Sequence, residues 1–207
     1  MTEIINNYKF SEELPTETEP MQNARRAALE LAQSPISAAL GQQLAIMVAA
    51  SGAQNVVEIG TGTGLTGLWI LAGNPSASLS SIDSDATNHD LARQAFAQGA
   101  PESNAQRLIT GNPDEVLPRL NDASYDVALF DAQSPQLASY LMHALRLVKP
   151  GGMVLAYHPL RGGKLAAPTA RDEQTGKIRE LLASLPDLNV QWNLLAVGTG
   201  LLQIIKR

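Results

Sequence analysis

Cysteine is absent from the 207 residues, so neither a disulfide framework nor a thiolate metal site can be built. Aromatic residues are scarce at 4%, which leaves Leu, Ala, Ile and Val to fill a core. No apolar run is long enough to span a bilayer. The opening MTEIINNYKF has neither the basic start nor the apolar stretch of a signal peptide, and a cytoplasmic location is the expectation. Long Lys/Arg runs are missing as well, and the formal net charge is −5. Nucleic-acid and membrane-surface binders need a cationic face, so neither partner is expected.

What is present suits one globular domain with a sizeable core: 44% of the residues are of hydrophobic types. The stretch SEELPTETEP (Ser11 to Pro20) carries four acids, no base and two prolines, and residues 1–20 read as an arm that packs on something or frays. From Pro35 the pattern turns helical, with Ile36, Leu40, Leu44, Met47 and Val48 on one face. GAQNVVEIG then reads as a turn and a buried strand, and LTGLWILA as the helix after it. ASLSSID, AQRLIT, YDVALFD and MVLAY read as four further strands, the last entered through a KPGG turn. A helix is expected from Asp85, its N-cap, to Gln98, with Gly99 as its stop. Leu137, Leu141, Leu145 and Val148 mark another helix face, and Ile178, Leu181, Leu182 and Leu185 a late one. NVQWNLLAV and LLQIIKR are joined only by GTG, too short for a crossover helix, so these two strands must pair antiparallel. The sum is a three-layer α/β sandwich of seven mostly parallel strands closed by an antiparallel hairpin.

The densest chemical signal is VVEIGTGTGLTG, Val56 to Gly67, a short apolar strand running into closely spaced glycines. In an open α/β sheet, ligands sit beyond the carboxyl ends of the strands, where strand order reverses. Gly60, Gly62 and Gly64 permit a tight turn there, and the helix start beyond them offers unpaired N–H groups. A turn of this kind can also serve packing alone. Three features point to a ligand instead. Asp83 closes the second strand 23 residues after Gly60, where an acid can accept both hydroxyl protons of a ribose. Glu58 puts a carboxylate inside an apolar strand, and a buried carboxylate must find partners. Position 65 is Leu where a dinucleotide fingerprint has Gly, and no Lys-Ser/Thr ending follows, which favours a nucleoside without a pyrophosphate.

With these residues in view, VVEIGTGTGLTGLWIL resembles the first motif of methyltransferases that use S-adenosyl-L-methionine (SAM). From about residue 34 to 207 the chain resembles the small O-methyltransferases of the catechol and caffeoyl-coenzyme A type, a Rossmann-like fold. GNPDEVLPRL is similar to that family's adenine-side loop, YDVALFDAQ to its fourth strand, KPGGMVLAY to its fifth and GTGLLQIIKR to its closing hairpin. The resemblance implies a SAM-dependent domain over 21–207, a small-molecule acceptor and a homodimer. It also implies roles for residues. Glu58, Gly60, Thr61 and Gly62 would line the methionine and ribose part of SAM, with Thr66 at the family's Ser/Thr position. Asp83 would hold the ribose hydroxyls, and Asn112 and Pro113 would stand beside adenine where the family has Asp-Ala. Asp131 would face the sulfonium.

The pattern departs from the family at its divalent-metal site. There the resemblance implies Asp131 and an Asp-Asn pair as oxygen ligands of a hard cation, with a nearby Lys that helps deprotonate the hydroxyl. Tyr157 and His158 stand where Asp-Asn is expected, and Ser134 where the Lys is expected. A neutral phenol is a poor ligand for a hard cation, and imidazole suits transition metals. Three readings stay open: metal-free O-methylation with Asp131 in the site and His158 as general base; a softer metal on Asp131 and His158; or SAM binding with little catalysis. A nicotinamide-dependent oxidoreductase shares the fold and the strand-end acid, and the glycine spacing and the hairpin tail speak against it. His89, on a helix read as surface, and His143 are expected to be structural, as is the charged run from Arg171 to Glu180, read as a solvated face.

Overall fold

In the computed structural model, residues 2–101 and 105–207 are described. Among them seven strands form one sheet: β1 (Asn55–Ile59), β2 (Ser78–Asp83), β3 (Gln106–Thr110), β4 (Tyr125–Asp131), β5 (Val148–Tyr157), β6 (Val190–Leu195) and β7 (Leu201–Lys206). Their order is β3-β2-β1-β4-β5-β7-β6. The first five run parallel, and β7 lies antiparallel between β5 and β6. The chain therefore winds outward from β1 in one direction and from β4 in the other. Between β1 and β4 the strand order switches, which opens a crevice beyond their carboxyl ends.

The helices are α1 (Thr2–Glu13), α2 (Glu19–Glu30), α3 (Ala38–Ser51), α4 (Leu65–Gly73), α5 (Ala86–Gly99), α6 (Pro113–Val116), α7 (Leu137–Leu147) and α8 (Glu173–Ser184). Parallel strands are buried on both faces, so alternate residues of one strand serve different layers. Val56 joins Leu40, Leu44, Trp69 and Phe96 of the α2–α5 layer. Its neighbours Val57 and Ile59 join Leu137, Leu141, Leu147 and Ile178 of the α7–α8 layer. Each large aliphatic side chain so buried contributes about 1.5–3 kcal/mol. The three-layer sandwich and terminal hairpin are as the sequence predicts. So is the Asp85 cap, whose carboxylate accepts from the N–H of Thr87 at 2.8 Å.

The arm over residues 1–20 is helical along α1 and packs: α1 docks on the β6–β7 turn, where the Tyr8 hydroxyl donates to the Gly198 carbonyl at 2.7 Å and the Gly198 N–H donates to Glu12 at 2.6 Å. Pro20 sits in the first turn of α2, where a missing N–H costs nothing. Two local expectations need correction. KPGG is no turn ahead of β5 but an irregularity within it: Gly151 has φ +78° and the register against β4 shifts between Tyr125 and Val127. The run from Arg171 to Glu180 is not simply a solvated face. Arg179 gathers the carbonyls of Lys164, Leu165, Ala167 and Ala170, and Arg161 pairs with Asp172 at 2.6 Å, so the loop after β5 is fastened to α8.

α3 meets α4 closely at Gly41. A Cβ there would lie 2.2 Å from Nε1 of the buried Trp69. Gly41→Val is expected to lower the unfolding free energy by about 1–3 kcal/mol through overpacking, read as a lower urea midpoint. An unchanged midpoint would contradict this packing.

Candidate functional site

The crevice at the switch point holds a cavity of about 240 Å³. Its floor is the glycine loop after β1. Gly60 has φ +97° and Gly64 φ +87°, values that residues with a Cβ rarely adopt. At Gly64 a Cβ would also lie 2.9 Å from the Ala92 backbone, so the loop can seat itself on α5 only with glycine. The loop is tied on three sides. The Gly60 N–H donates to the Ile82 carbonyl at 2.8 Å, the Thr63 hydroxyl to the Ala24 carbonyl of α2 at 2.8 Å, and the Gly62 N–H to Asp83 at 3.0 Å.

Asp83 ends β2 and is 9% exposed. Its Oδ2 accepts from Gly62 and from Asn88 Nδ2, both at 3.0 Å, and its Oδ1 accepts from the Asp85 N–H at 2.9 Å. Gln33, from the loop after α2, donates to the Asn88 amide oxygen at 2.9 Å. A carboxylate held this way is fixed in orientation, with acceptor capacity left on Oδ1 for a ligand hydroxyl.

Beneath the loop lies Glu58, fully buried. The Ser81 hydroxyl donates to Glu58 Oε2 at 2.6 Å, while Oε1 has no partner among the described residues. Burial pushes this carboxyl up to about 8; the Ser81 hydrogen bond opposes the shift and the charge of Asp83 adds to it.

On the far wall stand Asp131, at the end of β4, and Tyr157, at the end of β5, paired in register. His158 follows with φ +65°, a conformation that costs a non-glycine residue about 1–3 kcal/mol. It is held by its N–H to the Gly200 carbonyl at 3.1 Å and by its ring, whose Nδ1 meets Asp131 Oδ2 at 3.2 Å. Asp131 accepts there, so Nδ1 carries the proton. Burial and the charges of Asp131, Glu58 and Asp83 raise the Tyr157 phenol well above its ordinary value, so it stays protonated.

Of the residues singled out from sequence, Gly60, Thr61, Gly62, Thr66, Asp83 and Asp131 line one cavity. Glu58 and His158 do not; the first lies under the loop and the second backs Asp131. Asn112 and Pro113 open α6 off the cavity wall, Asn112 capping it through the Asp114 N–H at 3.1 Å. His89 is not a surface residue: it is 2% exposed under the loop. Its spacing with the buried Ala92 and Phe96 was the signal, since the three recur on one helix face. Gln33, Asn88 and Tyr157 are the additions. Asn88, in the first turn of the helix that follows Asp83, could have been found from that position; nothing local marks Gln33.

A family model described as O-methyltransferase matches residues 11–207. A protein of Mycobacteroides abscessus provisionally named an O-methyltransferase is 36% identical over 165 residues, 79% of this chain and 77% of its own length. One of Mycobacterium tuberculosis, named with similar reserve, is 34% identical over 188 residues, covering 90% and 84%. Among solved structures, the O-methyltransferase TomG of Streptomyces achromogenes, in complex with SAM, superposes with a TM-score of 0.84 at 25% identity, covering 96% of this chain and 94% of its own. An O-methyltransferase of Bacillus cereus in complex with S-adenosylhomocysteine (SAH) shares the fold with a TM-score of 0.83 at 20% identity, over 98% and 97%.

Glu58 gives the ligand-free protein a pH signature. Its carboxyl titrates near 4.5 when unfolded and near 8 when folded. Between those values the folded state keeps a proton that the unfolded state has released. Stability therefore falls as pH rises through that window, by up to about 1.4 kcal/mol per pH unit, and levels off above it. Urea unfolding of wild type and Glu58→Gln at several pH values from 5 to 8 should show the steeper fall in wild type. Equal slopes would mean that Glu58 is ionised in the folded protein.

Proposed function

The chain belongs to the O-methyltransferase family, and from that premise we propose that it methylates the hydroxyl of a small molecule, using SAM and no divalent metal. One observation carries the reading: Asp83, oriented by three N–H donors, faces the same cavity as the glycine loop and Asp131.

The residues present fit SAM. Asp83 would accept a ribose hydroxyl on Oδ1, the loop from Gly60 to Gly62 would lie against the methionine part, and Thr66 would close the wall beside it. Asn112 and Pro113 would reach adenine from the rim, since Gly111, just before them, donates its N–H to the Asp83 carbonyl at 2.9 Å. The bound cofactor supplies an electrophilic methyl group on a sulfonium. Asp131 would meet the acceptor hydroxyl, with His158 sharing the charge through Nδ1–H. Placing the hydroxyl and drawing off its proton are what this chain contributes to the rate. His158 lies behind Asp131, so Asp131 is the first acceptor a substrate proton would find.

The residues do not fit a hard dication. Asp131 and His158 are bonded to each other, Tyr157 is a protonated phenol, and among the described residues no three carboxylates or imidazoles converge. No step is assigned to a metal. A cytoplasmic homodimer belongs to the same proposal. Support for the dimer comes from the exposed apolar side chains Ile5, Phe10 and Leu14 on and just beyond α1.

Calorimetry with SAH tests the cofactor: wild type is expected to bind, and Asp83→Ala to bind at least tenfold more weakly. Absence of binding by folded wild type would defeat the proposal. Methyl transfer from SAM to a panel of phenols and alcohols is expected to be the same in EDTA as without it. Loss in EDTA with recovery on adding Mg²⁺ would overturn the metal-free mechanism. Asp131→Asn should lower kcat about 100-fold or more, with little change in SAH affinity.

A further inference from the structure

A line of buried polar side chains crosses the α2–α5 layer under the glycine loop. From Glu58 it runs to Ser81 at 2.6 Å, to Thr61 at 2.7 Å, to Nε2 of His89 at 3.1 Å, and from Nδ1 of His89 to Thr110 at 2.8 Å. Parallel pairing makes the line possible. Glu58 stands opposite Ser81 in the β1–β2 register, and Asp83 opposite Thr110 in the β2–β3 register. Glu58, Thr61, Ser81 and His89 are all buried; Thr110, at the end of edge strand β3, is exposed.

Proton counting makes the line one-way. Each hydroxyl has one proton, a neutral imidazole has one donor and one acceptor nitrogen, and a protonated carboxyl has one O–H. Where Ser81 gives its proton to Glu58, Thr61 gives to Ser81, His89 gives from Nε2, and Nδ1 accepts from Thr110. Where the protonated Glu58 gives to Ser81, every bond reverses and Nδ1 carries the proton. Either sense requires one tautomer of His89. The count requires a neutral ring, and burial supplies one by lowering the His89 pKa; Asp83, Asp90 and Asp85 oppose that shift and Arg93 assists it. A buried chain in which every donor points the same way holds its members more firmly than isolated pairs do.

We infer that His89 is a positioning residue for cofactor binding: locked as one tautomer between Thr61 and Thr110, it fixes Thr61, and through Thr61 the glycine loop that lines the cavity. Neither the ring nor its partner hydroxyl on β3 touches the cavity. The inference rests on the reading that SAM fills that cavity.

The test combines SAH calorimetry with ¹⁵N NMR of labelled histidine in wild type, His89→Phe and Thr110→Val. Wild type should bind SAH and show His89 as a single tautomer near neutral pH. His89→Phe keeps a ring and loses both nitrogens, and its SAH affinity should fall about tenfold. Thr110→Val keeps the shape at an exposed position; its His89 signals should move toward a tautomer mixture, with a smaller loss of affinity. If folded wild type binds no SAH, the cofactor reading fails and takes this one with it. If wild type binds and His89→Phe binds equally well, or if wild-type His89 is already a mixture of tautomers, the positioning role alone is overturned. Should His89→Phe not fold, Thr110→Val decides: wild-type affinity and an unmoved tautomer there would overturn the role.

Discussion

The carboxylate of Asp83 is the tie between the glycine loop and the sheet. Parallel register sets Ile59 beside Ile82, so the chain leaving β1 and the last residue of β2 arrive at the same level. There the Gly62 N–H finds Asp83 at 3.0 Å. The same oxygen takes the amide of Asn88, and Asn88 in turn takes Gln33 from the loop between α2 and α3. One side chain therefore joins the floor of the cavity, the first turn of α5 and the segment that covers the site. Three N–H donors stabilise the carboxylate at a largely buried position, and they leave Oδ1 as the oxygen with room for a ligand. Loop shape and ligand recognition are thus not separable functions of different residues here.

Left-handed backbone frames the same crevice. The loop needs left-handed backbone at Gly60 and Gly64, which glycine adopts at no steric cost. Across the cavity the chain accepts a left-handed histidine at position 158. Its support is local and polar: the Asp131 carboxylate, the Gly200 carbonyl and the edge of the Tyr157 ring, 5.0 Å away between centroids. Conformations of this kind persist where surrounding structure over-determines them. The two ends of β4 and β5, paired from Val127 to Tyr157, provide that rigidity.

The residues that mark the ends of strands were legible in the sequence. Gly60, Asp83 and Asp131 each interrupt an apolar run, and such interruptions in a buried parallel strand need a reason outside the core. The helices before residue 31 were not legible, because prolines and acids imitate a loop. Pro20 is harmless in a first turn, and α1 leaves Ile5, Tyr8 and Phe10 exposed, so no apolar stripe announces it. His89 was misplaced for the opposite reason. Its neighbours Asn88 and Asp90 are polar, yet Asn88 and His89 both turn inward, each to a hydrogen-bond partner on a different strand end. Burial of polar groups by satisfied hydrogen bonds leaves no hydropathy signal. Contacts such as Gln33 to Asn88, 55 positions apart, exist only once the layers are assembled.

Tyr157 and His158, standing where the resemblance implies Asp-Asn, change the electrostatics of the acceptor side. An acid at position 157 would add negative charge beside Asp131 and would call for a cation to balance it. A phenol kept neutral by burial adds none, and an imidazole that donates to Asp131 offsets the charge already there. On the proposed reading, the acceptor hydroxyl is then held by side chains alone. The walls that remain to select it are Ser34, Pro35 and Ile36, from the segment that enters α3, together with Tyr157. These groups are apolar or weakly polar and carry no fixed charge. They discriminate by shape, and a hydrophobic wall separates substrates that differ by one methylene by only about 1–3 kcal/mol. A site of this composition should therefore accept a group of related neutral hydroxyl compounds rather than one.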